Sequence, residues 1–301
     1  MSQKTFLTKL LVPVDGSRSS IMAEETAAAI AKKTGASVTV LHAKQELEDG
    51  YDHQQFPPIP RVDAYEKVSD SASSDFRQFS ELQNIIERQA ERIVNNALAL
   101  FSEVGVKTDS VIKMGDPAEN ILEYSKKDFD LTVMGACGEN EKDACTLGSV
   151  TKKIMLHTKC PTLIVKEVTF LSNLLVCVDG SDHAVNALNY ATNLAQKMGG
   201  KITLLNVQDH RIRKVSPKTA EELGNRIISK SLETIKKEKL QVNEKVEFGV
   251  PSNVIVEVAE KEKYDLIVLG NRGLGTVTRF LLGSVSDDVA HKAKCSVLIA
   301  R

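Results

Sequence analysis

The sequence predicts an α/β protein made of two similar halves, each a five-stranded parallel sheet with helices on both faces. Short β-branched and leucine-rich runs alternate along the chain with longer segments of helical periodicity, which is the pattern of βαβ units. The first unit comprises a strand at 6–14, a helix at 18–34 and a strand at 37–43, and Gly35 ends its helix. The same order of segments returns in the second part of the chain.

Matching residues recur at nearly constant offsets, which indicates an internal repeat. The segment 12–17, Val-Pro-Val-Asp-Gly-Ser, returns at 176–181 as Val-Cys-Val-Asp-Gly-Ser, 164 positions later. Further along, the offset falls to 135, as between Gly135 and Gly270. The first half therefore contains about 30 residues that the second half lacks.

We assign the extra residues to an insertion at about 44–80, which carries four bases and eight acids. Its proline-rich and serine-rich stretches predict a solvated surface excursion, followed by a long amphipathic helix at 81–104. The boundary between the halves is predicted near residue 167, which gives domains at 1–167 and 168–301.

Two glycine-punctuated loops carry the clearest functional signal. The pattern Gly-x2-Gly-x9-Gly-Ser occurs at 270–284, after the apolar run 264–269, and again at 135–149, after the run 130–134. Each loop therefore joins the carboxyl end of a strand to the amino end of a helix, and Ser284 is the expected N-cap of the second of these helices. Free backbone N–H groups and the helix dipole favour an anion there, and glycine lets the backbone approach it.

Two aspartates are predicted to lie beside these loops. In open α/β sheets the ligand binds beyond the carboxyl ends of the strands, where strand one ends at Asp15 or Asp179 and strand four ends at Gly135 or Gly270. Each aspartate could accept hydrogen bonds from a ribose or a base, or could instead be the N-cap of the helix that follows it. The sequence leaves both interpretations open.

The paired loops resemble the nucleotide loop of the universal stress protein family, and the two copies resemble its tandem type over nearly the whole chain. The resemblance implies the strand order 3-2-1-4-5 in each half, with the last strands, 161–166 and 296–300, pairing antiparallel in a pseudo-dimer. It implies ATP as the ligand, together with a divalent cation such as Mg²⁺. Adenine would meet the backbone at the end of strand two, and the triphosphate would lie on the glycine loop. The predicted binding residues are Asp15, Ala43, Gly135, Gly138, Gly148, Ser149 and Val150 in the first half, and Asp179, Val207, Gly270, Arg272, Gly273, Gly283, Ser284 and Val285 in the second.

The sequence contains no other glycine motif or catalytic pattern that we recognise. A P-loop, a dinucleotide fingerprint and a nucleophile elbow are all missing, and the six histidines lack the spacing of metal ligands. No general base is predicted beside a nucleophile, so we predict no catalytic residue. Three functions stay open: an ATP-binding stress-response protein that acts through ligand-dependent conformation or partner contacts, a slow ATPase or nucleotidyl transferase, and an interaction scaffold whose sites stay empty.

Composition limits the partners and the compartment. The 39 basic residues nearly balance the 40 acidic ones, which gives no argument for a nucleic acid or a membrane surface as partner. No apolar run approaches the roughly 20 residues of a membrane span, and no signal core is recognisable. Five widely spaced cysteines fit a reducing compartment. We therefore expect a cytoplasmic protein whose partners are an adenine nucleotide and itself, as an intramolecular pseudo-dimer or a homodimer.

The two glycine loops differ in charge. The loop at 271–282 carries two arginines and no acid, whereas the loop at 136–147 carries three acids and one lysine. Because a triphosphate is strongly anionic, we expect the second-half site to bind ATP more tightly than the first-half site.

Overall fold

The computed structural model describes residues 7–44, 70–138, 147–168, 171–210, 214, 216–273 and 282–301, with side chains from 81 onwards in the second of these ranges. The strands in this part are β1 (Lys9–Pro13), β2 (Ser37–Lys44), β3 (Thr108–Met114), β4 (Leu131–Gly135), β5 (Thr162–Val165), β6 (Asn173–Cys177), β7 (Lys201–Gln208), β8 (Val242–Phe248), β9 (Leu266–Gly270) and β10 (Ser296–Ala300). The helices in this part are α1 (Arg18–Thr34), α2 (Asp70–Glu103), α3 (Pro117–Tyr124), α4 (Ser149–His157), α5 (Asp182–Met198), α6 (Pro217–Ile235), α7 (Pro251–Lys261) and α8 (Ser284–Lys292).

The ten strands form one sheet in the order β3-β2-β1-β4-β5-β10-β9-β6-β7-β8. Within each half the neighbouring strands are parallel and follow the predicted order 3-2-1-4-5. The halves meet where β5 and β10 pair antiparallel, with Leu163 opposite Leu298. The predicted fold class and the predicted pairing of the last strands are therefore confirmed.

Helices cover both faces of this sheet because its central strands are apolar on both sides. β5, β9 and β10 are buried along their whole length, as expected for strands between two helical layers. On one face α1 packs against α2 and α5, and α5 against α6. On the other face α3 packs against α4, and α7 against α8. The carboxyl ends of β1 and β4 in the first half, and of β6 and β9 in the second, therefore lie beside the amino ends of helices from both layers.

The helix that follows the first strand is capped in the same way in both halves. Ser17 is the N-cap of α1, and its Oγ accepts the N–H of Ser20 at 3.1 Å. Ser181 does the same for α5. Both helices end at glycines, Gly35 and Gly199, whose φ angles of 76° and 75° lie in the left-handed region. The repeated sequence thus gives repeated local structure.

Helix α2 begins earlier than the sequence predicts. The helix starts at Asp70 instead of residue 81, so it includes the last part of the predicted insertion, whose remainder at 45–69 lies outside the described residues. The side chains at 81–85 are exposed, whereas Ala97 and Phe101 are fully buried. The segment 70–75 is rich in serine and aspartate and lacks an apolar stripe, so its sequence suits a helix amino end but gives no helical periodicity.

Two basic side chains make hydrogen bonds between the halves at the junction of β5 and β10. Lys166, which follows β5, donates from Nζ to the carbonyl oxygens of Ala293 and His291, at 2.5 and 3.5 Å, at the carboxyl end of α8. Arg301, which follows β10, donates from Nη2 to the carbonyl oxygen of Met155 in α4. Each half thus supplies a positive charge to the negative end of the other half's last helix.

A second half expressed alone should not remain a stable monomer. A fragment comprising 171–301 would expose the edge of β10, which is buried along its whole length in the full chain, and would lose the lysine that holds the end of α8. We expect it to self-associate, or to unfold at a lower temperature than the full chain, when examined by light scattering and thermal melting. A monomeric fragment with the melting behaviour of the intact protein would contradict this expectation.

Candidate functional site

The second half contains a cavity of about 390 Å³ at the carboxyl ends of β6, β7 and β9. Its lining combines the apolar side chains of Leu205, Val207, Ile255 and Leu269 with the glycine loop and the first turn of α8. All eight residues predicted for the second-half site line this cavity: Asp179, Val207, Gly270, Arg272, Gly273, Gly283, Ser284 and Val285. Sequence reasoning missed Leu205, Ile255 and Leu269, because their sequence pattern is that of ordinary core positions.

Asp179 is oriented by the turn that follows β6 and is not an N-cap. Its Oδ1 accepts the backbone N–H of Ser181 at 2.9 Å and the Ser181 hydroxyl at 2.6 Å, while Ser181 itself caps α5. Its Oδ2 lies against the glycine loop, since a Cβ added at Gly273 would lie 2.6 Å from it. Asp15 is held similarly, with Oδ1 accepting the N–H of Ser17 at 3.0 Å.

Helix packing by itself requires a glycine at position 270, whether or not a ligand binds there. A Cβ added there would lie 2.7 Å from the backbone carbonyl carbon of His183 in α5, and a Cβ at Gly135 would lie 2.7 Å from that of Ser19 in α1. These distances are shorter than any tolerated contact, so the first glycine of each loop brings strand four and the helix after strand one together. Only its backbone is left to face the cavity.

The loop in each half is closed by the same two hydrogen bonds. Gly283 donates its N–H to the carbonyl oxygen of Asn271 at 2.8 Å, and the Ser286 hydroxyl donates to the carbonyl oxygen of Gly270 at 2.7 Å. In the first half the N–H of Gly148 and the hydroxyl of Thr151 make the corresponding bonds, at 2.8 and 3.0 Å. The start of the loop is thereby fixed to the start of the helix in both halves.

The prediction that Ser284 caps α8 is wrong. Gly283 is the N-cap, Ser284 is the first helical residue, and no side chain of the described part of the protein caps this end. Gly148 occupies the same position before α4, where Ser149 is again the first helical residue. Glycine at the N-cap leaves the first-turn N–H groups without a competing side-chain acceptor, so this end can bind an anion.

The first-half residues are arranged in the same way. Asp15 follows β1, Ala43 lies near the end of β2, and Gly135 ends β4. Gly138 lies close to Asp15, because a Cβ added to it would be 3.1 Å from the aspartate Oδ2. Gly148, Ser149 and Val150 form the start of α4. The charged loop residues at 139–146 and 274–281 lie outside the described residues, so the predicted difference in loop charge stays a prediction.

The two crevices differ where the first helix of each half borders them. Ala184 lines the second-half cavity, and the matching residue of the first half is Ser20. Ser20 donates from Oγ to Oε1 of Glu24 at 3.0 Å, and Glu24 is buried although its matching residue is Leu188. Burial raises the pKa of the Glu24 carboxyl to about 7, against the lowering effect of the Ser20 bond, and the charges of Asp15 and Glu25 raise it further. Sequence reasoning missed this glutamate, which only a comparison of the two halves would have singled out.

A second cavity of about 450 Å³ adjoins the second-half crevice and shares Pro251, Ser284 and Val285 with it. Its lining is more polar and includes Asp209, His210, Ser252 and Asp288. The Ser252 hydroxyl donates to Oδ2 of Asp288 at 2.9 Å, and Nδ1 of His210 lies 3.5 Å from Oδ1 of Asp209. The crevice therefore continues past the start of α8 into a polar compartment that the sequence did not predict.

Nothing in the described ranges resembles a metal centre or a reactive thiol site. Within them no three histidine, cysteine, aspartate or glutamate side chains converge to hold a metal ion. Cys137, Cys160, Cys177 and Cys295 are free thiols. Burial raises the pKa of the Cys177 thiol in the crevice, so it stays protonated at neutral pH. No described helix has the length and apolarity required to cross a membrane.

The fold and the loops define a tandem α/β protein with a glycine loop at the switch point of each half and a glycine-lined cavity in the second half. The model of the Universal stress protein family matches residues 7–166 and 171–301, so the chain belongs to this family and contains its domain twice.

Relatives and solved structures agree with this assignment. A putative universal stress protein from Staphylococcus aureus strain USA300 is 35% identical over 141 residues, which is 43% of this chain and 83% of the relative. A universal stress protein from Archaeoglobus fulgidus DSM 4304 has a TM-score of 0.69 at 23% identity, covering 97% of this chain and 98% of that one. A functionally unknown protein from Pseudomonas aeruginosa PAO1 has a TM-score of 0.64 at 15% identity, covering 98% and 92%. At these identities the two structures show the fold alone.

Replacing Glu24 by glutamine should stabilise the protein increasingly as the pH rises. A carboxyl whose pKa is raised from 4.5 to about 7 by folding favours the folded state below pH 4.5 and loses that contribution as the pH rises to 7. Relative to the parent, the free energy of unfolding of Glu24→Gln should increase by up to ~3 kcal/mol between pH 4.5 and 7. Above pH 7 the difference between the two proteins should stay constant. Urea titrations at several pH values measure this difference.

The matched control is Glu25→Gln, which changes an exposed carboxyl of the same helix turn. Its unfolding free energy should stay parallel to that of the parent. A pH-independent difference between Glu24→Gln and the parent would show that Glu24 keeps an ordinary pKa in the folded protein.

Proposed function

We propose that this protein binds ATP in the second-half crevice and acts as a cytoplasmic stress-response protein through ligand-dependent conformation or partner contacts. The observation that carries the proposal is the single cavity in which all eight predicted second-half residues meet. Apolar side chains and an uncapped helix amino end, which line one cavity, suit the base and the phosphates of a nucleotide respectively. The free thiols suit a reducing compartment.

Each part of the nucleotide has a partner in this proposal. The adenine packs between Val207 and Ile255, and the backbone at Val207 forms hydrogen bonds with its polar edge. The Asp179 carboxylate, which is oriented by Ser181, accepts hydrogen bonds from the ribose. The triphosphate lies on Gly273, Gly283, Ser284 and Val285, with Arg272 supplying positive charge. Mg²⁺ would be held mainly by phosphate oxygens and water, since it binds with few protein ligands.

The same arrangement in the first half supports a second site with its own ligand preference. We propose that the two sites belong to domains 1–167 and 168–301, which form an intramolecular pseudo-dimer joined through β5 and β10. Ala43 and Asp15 would contact the nucleoside, while Gly138, Gly148 and Ser149 would contact the phosphates. Cys137 replaces Arg272 in this half, which removes one positive charge from the phosphate end.

Calorimetric titration of the protein, purified natively and stripped of ligand, tests the proposal. Tight ATP binding with negligible phosphate release supports a binding protein. Steady phosphate release that disappears in Asp179→Ala would instead indicate an ATPase. A protein that neither retains ATP through purification nor binds it on titration would contradict the proposal and leave a scaffold with empty sites.

Valine at Gly273 or Gly283 should abolish ATP binding in the second half. A Cβ at Gly273 would lie 2.6 Å from Asp179 Oδ2, and one at Gly283 would lie 3.3 Å from both Arg272 Cα and the Asn271 oxygen. Both changes therefore displace groups that we assign to the ligand and fill space beside the phosphates. Calorimetry should show the loss of one site, while circular dichroism stays unchanged. If both variants keep the parent's affinity and stoichiometry, the phosphate-loop assignment is wrong.

The second-half site should bind ATP more tightly than the first. The expected net charges of the loops, +2 at 271–282 and −2 at 136–147, act in opposite directions on a triphosphate. A difference of about 1.4 kcal/mol would be tenfold in affinity. Gly138→Val leaves only the second-half site and Gly273→Val leaves only the first-half site, so titrating the two variants compares them. Equal affinities would show that loop charge does not control binding.

A further inference from the structure

Ser20 and Glu24 give the start of α1 a hydrogen-bonded polar pair that the second half lacks at the matching positions. The residue that matches Ser20 is Ala184, which lines the second-half cavity, so this helix position borders the ligand space. Ser19, beside it, receives the backbone N–H of Cys137 on its Oγ at 3.4 Å, which brings the start of α1 against the glycine loop. Behind Ser20 the first half buries the carboxyl of Glu24 where the second half buries Leu188.

Hydrogen bonds connect this carboxyl to the crevice aspartate. The backbone N–H of Asp15 donates to Ser20 Oγ at 3.3 Å, and Ser20 Oγ donates to Glu24 Oε1 at 3.0 Å. The Asp15 carboxylate is held in turn by the N–H of Ser17 at 3.0 Å. The buried carboxyl of Glu24 is therefore linked through Ser20 to the backbone of Asp15, whose own carboxylate is exposed and is held separately by Ser17.

The charges that act on Glu24 are both negative. They are those of Asp15, at the end of β1, and Glu25, on the same helix. No side chain of β4 or β5 in their described ranges is titratable. The other described elements packed against α1 also carry titratable groups, among them Lys9 on β1, His42 and Lys44 on β2, Glu91 and Arg92 on α2, and Asp182 and His183 on α5, but none of these is among the groups that shift the Glu24 pKa. In the described part of the protein, therefore, no cation offsets the effect of burial on this carboxyl.

We propose that the first-half crevice binds an anionic nucleotide together with one proton, which the Glu24 carboxyl takes up. This inference rests on the proposed nucleotide-binding function. A phosphate that enters the crevice adds negative charge near a network that already contains Asp15, so it favours the neutral form of Glu24. Proton and ligand then strengthen each other's binding, as linkage requires. The second half, with Ala184 and Leu188 at these positions, has no group to take up a proton.

The sign of the effect follows from the pKa of about 7 that burial gives Glu24. Below pH 7 the carboxyl already carries its proton, and the ligand binds without changing it. Above pH 7 the carboxyl is mostly ionised, so a ligand that favours its neutral form binds with proton uptake, and the affinity of the first-half crevice should fall with rising pH, by at most about tenfold per pH unit. The crevice thereby loses its ligand as the pH rises.

The experiment isolates each crevice in the full chain and counts protons. Mg·ATP is titrated into Gly273→Val, which keeps the first-half crevice, between pH 6 and 8.5 in buffers of different ionisation enthalpy. Gly138→Val, which keeps the second-half crevice, is titrated identically and corrects for the proton equilibria of the nucleotide itself. Glu24→Gln and Glu25→Gln are each added to Gly273→Val.

We expect Gly273→Val to take up more protons than Gly138→Val at pH 8, with one proton as the upper limit, and to lose affinity with rising pH. Adding Glu24→Gln should remove both effects, because glutamine accepts the Ser20 bond but does not titrate. Adding Glu25→Gln, which removes only the weakest of the effects on the Glu24 pKa, should leave both effects in place. Equal proton uptake in the two single-crevice variants would overturn the inference, as would uptake that persists with Glu24→Gln. The inference would also be overturned if Gly273→Val bound no nucleotide at any pH while Gly138→Val still bound it. Loss of binding in both variants and in the parent would instead contradict the proposed function.

Discussion

The antiparallel contact between β5 and β10 is the interaction on which the rest of the structure depends. Both strands are buried along their length and would be exposed sheet edges in a separated half. Their pairing turns two five-stranded sheets into one and places α1 against α5 and each last helix beside the other half. Lys166 and Arg301 can reach the helix ends of the opposite half only because their strands are neighbours. The crevices therefore belong to one body, although each is built from its own half.

Within this frame, residues that are the same in both halves and residues that differ serve different purposes. Gly135 and Gly270 are fixed by the approach of a helix backbone, and the aspartates by the turns after β1 and β6, so both pairs are needed for folding as well as for any ligand. Among the positions that differ at or behind the crevice are Ser20 against Ala184, Glu24 against Leu188 and Cys137 against Arg272. The repeated fold therefore carries different side chains at matching positions of the two sites.

The same distinction explains how much the sequence could predict. Strand and helix positions followed from periodicity and caps, because local residues determine them, and the strand order came from the resemblance of the loops. The early start of α2 was missed because a helix that extends beyond the core needs no apolar face. Ser284 was misassigned as a cap because glycine before it makes the same turn without a side chain. Glu24 was missed because one acid in an alanine-rich helix has no periodic signal, and its burial depends on the packing around α1.

Helix α8 links the seam between the halves to the second-half crevice through its two ends. Its amino end, at Gly283, has no side-chain cap among the described residues and faces the crevice, while its carboxyl end is bound by the buried Lys166 of the other half. An anion at the first end and a cation at the second each stabilise the same helix dipole, by about 0.3–1 kcal/mol when exposed and up to ~2 kcal/mol when partly buried. An anion bound at Gly283 in the proposed site and the Lys166 ammonium at the other end would therefore both stabilise α8, the helix that runs from the second-half crevice to the seam between the halves.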